Sequence, residues 1–212
     1  MTRTIITLLI GFVAMATSMM WLDQPLAQWI NAHQNSAMKS AGLFLEEIGR
    51  SHWILGYCIV MIIIAWRSMR SLAHKHLGLF ASVAISGIAA NVIKVIACRP
   101  RPPLLIEHGI TEWNLLGFQM DYIWNSFPSG HATTGIAIAI SGSYIYPRLR
   151  WLFWTIGLAI VFGRVVLNAH YLSDVITGGM LGGFVAMWVE RYTLHNRPSQ
   201  DKRDERGSAS GG

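Results

Sequence analysis

Apolar residues in this chain gather into long runs instead of recurring at the spacing of a half-buried helix, which is the pattern of segments that cross a membrane. Six runs stand out: Ile5–Leu22, His52–Trp66, Leu77–Ala97, Gly130–Tyr146, Trp151–Asn168 and Asp174–Val189. Several fall short of the roughly 20 residues of an ideal span, a deficit that local bilayer thinning and snorkelling flanks can absorb. The first run follows Arg3, is longer than a secretory signal core and lacks a small-residue cleavage site, so it reads as a retained span. Between the first two runs, Asp23–Ser51 opens with Asp-Gln-Pro, a helix-start signal. Leu26, Trp29, Ile30, Ala37, Ala41, Phe44 and Ile48 then predict one or two amphipathic helices along the membrane surface. A second polar loop, Arg99–Phe127, is rich in proline and aromatics and predicts irregular structure at the interface. The expected fold is all-α: a polytopic membrane protein with six transmembrane helices over residues 1–196 and an amphipathic outer segment between spans one and two. Residues 197–212, charged and then Gly/Ser-rich, predict a disordered cytoplasmic tail.

Composition agrees with the pattern. Hydrophobic residues make up 52% of the 212 and charged residues 13%, about half the charge of a soluble domain. The net charge of +6 carries no basic stripe with interleaved aromatics, so it does not point to nucleic acid. The cations cluster between the apolar runs. With the N-terminus inside, 11 of the 17 Lys and Arg fall on the cytoplasmic side and 6 outside. That asymmetry predicts cytoplasmic termini. Cys58 and Cys98 have no metal or disulfide spacing and read as small apolar side chains.

Ionisable residues at the ends of apolar runs are costly and therefore informative. Lys94 lies inside the end of the third run, with Arg99 and Arg101 after it. Pro128-Ser129-Gly130-His131 opens the fourth, Arg164 lies near the end of the fifth, and His170 and Asp174 stand at the junction to the sixth. Spans three and five end on the face where spans four and six begin, so these clusters share one face, the outer one by the charge count. Lys94, Arg101 and Arg164 supply cations for a phosphate and its transition-state charge. Ser129 and Gly130 sit at a helix start, where free N–H groups favour an anion. His170 and Asp174 are four apart, so a carboxylate can hold one imidazole nitrogen and leave the other free to attack. His131 is then available as acid and later base. Taken singly, most of these residues have ordinary structural readings; the joint pattern reverses that. Arg99 reads as a surface or loop-stabilising cation, and His52, His74, His76, His108 and His195 as loop residues.

Lys94-x6-Arg101-Pro102, Pro128-Ser129-Gly130-His131 and Arg164-x5-His170-x3-Asp174 together resemble the three signatures of the type-2 phosphatidic acid phosphatase family. The resemblance implies a lipid phosphate phosphatase in which His170 forms a phosphohistidine, Asp174 orients it and His131 is general acid and base. It implies that Lys94, Arg101, Ser129, Gly130 and Arg164 hold the phosphate, with neither metal nor cofactor. One departure stands out: the third signature usually begins Ser-Arg, and here Gly163 precedes Arg164. Expected substrates are phosphatidylglycerophosphate, phosphatidic acid, undecaprenyl diphosphate or a lipid A phosphate, met at the periplasmic face of a bacterial inner membrane. A lipid phosphotransferase is the alternative. A transporter or flippase ranks lower because the inner halves of the spans read as nearly bare of polar residues, and vanadate-dependent peroxidase chemistry fits the membrane layout poorly.

Overall fold

The computed structural model describes residues 2–195, so the tail expected at 197–212 lies outside the described residues. Nine α-helices and no strand occur among the described residues. They are α1 (Thr2–Thr17), α2 (Asp23–His33), α3 (Ser36–Ile48), α4 (Ser51–Ala65), α5 (Arg70–Ala97), α6 (Pro102–His108), α7 (Gly130–Ile145), α8 (Arg150–Val166) and α9 (Leu172–His195). Each predicted apolar run lies largely within one of α1, α4, α5, α7, α8 and α9. The surface segment between the first two runs becomes α2 and α3, the latter capped by Asn35, whose side chain accepts from the Met38 N–H. The loop after α5 is irregular apart from α6, which starts at Pro102 as a helix start favours, and a single 3₁₀ turn at Tyr122–Trp124.

Among the described residues, five stretches are long and apolar enough to cross a membrane: Ile5–His33, Ser36–Ala65, Arg70–His108, Pro147–Val166 and Leu172–Thr193. The fourth predicted span folds as α7, whose 16 residues fall short of that standard. The protein is thus an all-helical, multi-pass membrane protein with five such stretches, one fewer than expected. Large apolar side chains such as Ile10, Val13, Ile63, Ile88 and Phe162 stay exposed along the helices, as lipid-facing surfaces require.

Helix α7 is the centre of the bundle and packs against α5, α8 and α9. Close approach depends on small residues, the usual device where lipid removes the hydrophobic drive between helices. Gly178 and Gly182 of α9 lie against the Ser129 and Thr133 carbonyls of α7, leaving no room for a Cβ at either position.

Three expectations change here. Helix α2 does begin at Asp23, but that residue is not at a surface. The chain runs from α1 into α2 through a π-helical turn at Ser18–Leu22, and Asp23 is buried, accepting from Ser18 Oγ at 2.7 Å. Nor are the five histidines loop residues. All five lie within helices, and His76 is fully buried in α5 beside the hydroxyls of Tyr57 and Tyr146, at 3.3 and 3.4 Å. With Ser82, Ser141 and Glu190 also buried, the end of the bundle opposite the charged clusters is not bare.

Candidate active site

The end of α5, the starts of α7 and α9 and the end of α8 converge as the parity of the runs requires. Backbone bonds stitch them together. Ser129 N–H donates to the Asp174 carbonyl at 3.0 Å, and Ala169 N–H to the Arg164 carbonyl at 3.1 Å. A cavity of about 500 Å³ opens between them, lined by Lys94, Arg101, Gly130, His131, Arg164 and His170, with Glu46 of α3. Six of the eight expected residues therefore face one space. Ser129 and Asp174 do not line it. Ser129 is fully buried at the N-cap of α7, where its hydroxyl accepts from Ala132 N–H at 3.4 Å. Asp174 stands behind His170.

The cations are held by carbonyl oxygens. Lys94 Nζ donates to the Asn125 carbonyl at 3.0 Å. Arg101 donates to the carbonyls of Tyr122 (2.8 Å), Ala169 (2.8 Å) and Asn125 (3.1 Å), with the Tyr122 ring 3.7 Å from its guanidinium carbon. These partners are neutral, so both positive charges stay available to an anion. Arg164 differs: its side chain is 2% exposed, and its Nη1 lies 2.6 Å from Glu46 Oε2. Its Nε has no hydrogen-bond partner.

His170 sits in the turn between α8 and α9. Its Nε2 lies 3.2 Å from Arg101 Nη1, on the cavity side. Its Nδ1 faces Asp174 Oδ2 at 3.7 Å, beyond hydrogen-bond length, and has no bonded partner. The expected pairing of imidazole and carboxylate is present as an approach instead of a closed bond. Burial, then the Arg101, Lys94 and Arg164 charges, hold the imidazole well below its ordinary pKa. A neutral ring with Nε2 turned to the cations is the form a nucleophile needs. His131 Nε2 is also buried without a hydrogen-bond partner.

Of the two readings of Arg99, surface or loop-stabilising cation, the surface one fails. Arg99 is buried between the rings of Trp113 and Tyr171, whose centroids lie 5.0 and 4.2 Å from its guanidinium carbon. It pairs with Asp23 at 2.7 Å and Asp174 at 2.5 Å, and donates to Ser173 Oγ at 2.7 Å. The other Asp174 oxygen accepts from Ser126 Oγ (2.6 Å) and Tyr171 N–H (2.9 Å). Sequence reasoning missed Glu46 altogether and read Asp23 only as a helix start. The available signal for Glu46 was Gly163, whose missing side chain lets α3 lie close to α8: a Cβ there would fall 2.8 Å from Leu45 Cβ.

Comparison with known proteins places the chain in a family. The PAP2 superfamily pattern matches residues 75–198. A lipid A 1-phosphatase of Rhizobium etli is 30% identical over 194 residues, covering 85% of this chain and 81% of its own length. The undecaprenyl-diphosphatase BcrC of Bacillus subtilis is 26% identical over 171 residues, covering 80% of this chain and 82% of its own length. Among solved structures, the PAP2-type phosphatidylglycerolphosphate phosphatase of Bacillus subtilis superposes with a TM-score of 0.66 at 14% identity, over 93% of this chain and 98% of that one. Aquifex aeolicus LpxE gives 0.61 at 20%, over 81% and 96%. The chain belongs to the PAP2 superfamily and, with it, to the membrane lipid phosphatases.

Proposed function

We propose that this enzyme removes phosphate from a membrane lipid phosphate or diphosphate through a phosphohistidine on His170, without a metal, at the periplasmic face of a bacterial inner membrane. The observation that carries the reading is the convergence of Lys94, Arg101, Arg164, His131 and His170 on one cavity. His170 Nε2 attacks phosphorus while His131 protonates the departing lipid oxygen. His131, now neutral, takes a proton from water, which attacks the phosphohistidine and frees inorganic phosphate. Lys94, Arg101 and Arg164, with the N–H groups at the start of α7, hold the phosphate oxygens. Asp174 fixes the imidazole from behind, and Ser129 supports the helix start.

The lipid reading also has a route for the tail. An apolar groove of about 440 Å³ runs along α5 over Ile88, Val92, Ile96 and Phe118 and shares Asn91 and Val95 with the phosphate cavity. A headgroup can thus reach the site while its chain stays in the bilayer. Counting α7 as a span gives six, with both termini cytoplasmic, in agreement with the loop charges. The relatives named for lipid A and undecaprenyl diphosphate make those headgroups the first to try. The test is phosphate release from a panel of lipid phosphates with chelator present, comparing wild type with His170→Ala. Turnover is expected to survive chelation and to fall at least about a thousandfold in the variant. Full activity in His170→Ala would overturn the mechanism. Phosphate appearing on an acceptor lipid instead of in solution would identify a phosphotransferase.

A further inference from the structure

Among the described residues, Glu46 is the only acidic side chain lining the phosphate cavity. A carboxylate there opposes the anion that the cavity is otherwise built to hold. It is placed by the close contact of α3 with α8. Gly42 faces Leu167, and Gly163 faces Leu45, so the next residue on each helix, Glu46 and Arg164, meet. This contact occupies the position where the family signature carries serine, whose side chain would not fit against Leu45.

We propose that Glu46 is a resident counter-ion that the substrate phosphate displaces from Arg164, and that it thereby sets how tightly the site holds anions. The proposal rests on Arg164 being a phosphate ligand. A buried guanidinium needs a negative partner, and Glu46 is that partner here. The two side chains differ in freedom: Arg164 is 2% exposed and Glu46 25%. When phosphate enters, Glu46 is therefore the partner that swings towards water while Arg164 stays. When inorganic phosphate forms, the returning carboxylate competes for Arg164 and helps expel the product. Glu46 is thus a specificity residue acting on anion affinity, and it disfavours headgroups carrying extra negative charge.

The test measures competitive inhibition of lipid phosphate hydrolysis by inorganic phosphate in wild type, Glu46→Gln and Gly163→Ala. Glu46→Gln is expected to lower the phosphate inhibition constant on the order of tenfold. Gly163→Ala adds only a Cβ and pushes α3 off α8, so it should shift the constant the same way. The double variant should go no further than Glu46→Gln alone, because both act through one contact. An inhibition constant that rises in Glu46→Gln would make Glu46 a clamp positioning Arg164, and an unchanged one would make it a bystander; either overturns the proposal. Should Glu46→Gln not fold, Gly163→Ala decides by the same criterion. A wild type that releases phosphate from no lipid would instead overturn the functional reading.

Discussion

Behind His170, one arginine is shared between two carboxylates, while in front of it Lys94 and Arg101 lean on neutral carbonyl oxygens. The rear cluster of Asp23, Arg99, Asp174, Ser126 and Ser173 bonds inward and is closed. The front carries more positive charge than it neutralises. Both are polar and buried, yet only the front has spare capacity for a ligand. Buried charge on its own therefore does not mark a site; incompletely matched charge facing a cavity does.

The two clusters should break differently. Arg99→Met strands two buried carboxylates, and removing one partner of a buried pair costs about 3–5 kcal/mol. Its effect is expected mainly on stability, as an earlier thermal inactivation in detergent. Arg101→Ala frees neutral carbonyls instead of charges, so it should lower that midpoint less, and it should lower kcat/KM by about 10²–10³, as removal of a transition-state donor does. Equal loss of stability in both variants would erase the distinction between them.

Acidity gives a smaller, graded test. The unfolded chain takes up a proton on His170 near its ordinary pKa of about 6.5, whereas the folded imidazole stays neutral well below that. Folding stability should therefore fall as pH drops below about 6.5, by at most about 1.4 kcal/mol per pH unit for this one group. His170→Gln should flatten that slope in a pH series of thermal midpoints. The smallest effect belongs at the opposite end of the bundle. Tyr57→Phe removes two weak hydroxyl contacts, to His76 at 3.3 Å and to Tyr146 at 3.4 Å, each worth about 1 kcal/mol at most. Phosphate release should stay within about twofold of wild type. A large loss there would tie the far cluster to catalysis.

The front cluster was legible in the sequence because its residues sit at the ends of apolar runs, where charge is costly and run parity fixes the face. The helices were legible for the same reason, to within a few residues at most ends. The rear cluster was not. Arg99 differs from Arg101 by two positions in one proline-rich loop, and nothing local tells which guanidinium turns to the cavity. Its partner Asp23 lies 76 residues away at what reads as an ordinary helix start. Glu46 was hidden similarly, on an amphipathic segment whose pattern predicts a surface and gives no hint that α3 docks on α8. Gly163 carried that information as a missing side chain, which only the packing could interpret.

Helix α7 carries one further consequence. At 1.5 Å per residue its 16 residues rise about 24 Å, several ångströms short of a bilayer core of about 30 Å. On the six-span reading proposed above, with the C-terminus of α7 at one interface, its first turn, bearing Gly130 and His131, would lie below the other. A lipid headgroup, and water after it, would then have to descend to that turn, and a thinner or locally compressed membrane would shorten the descent.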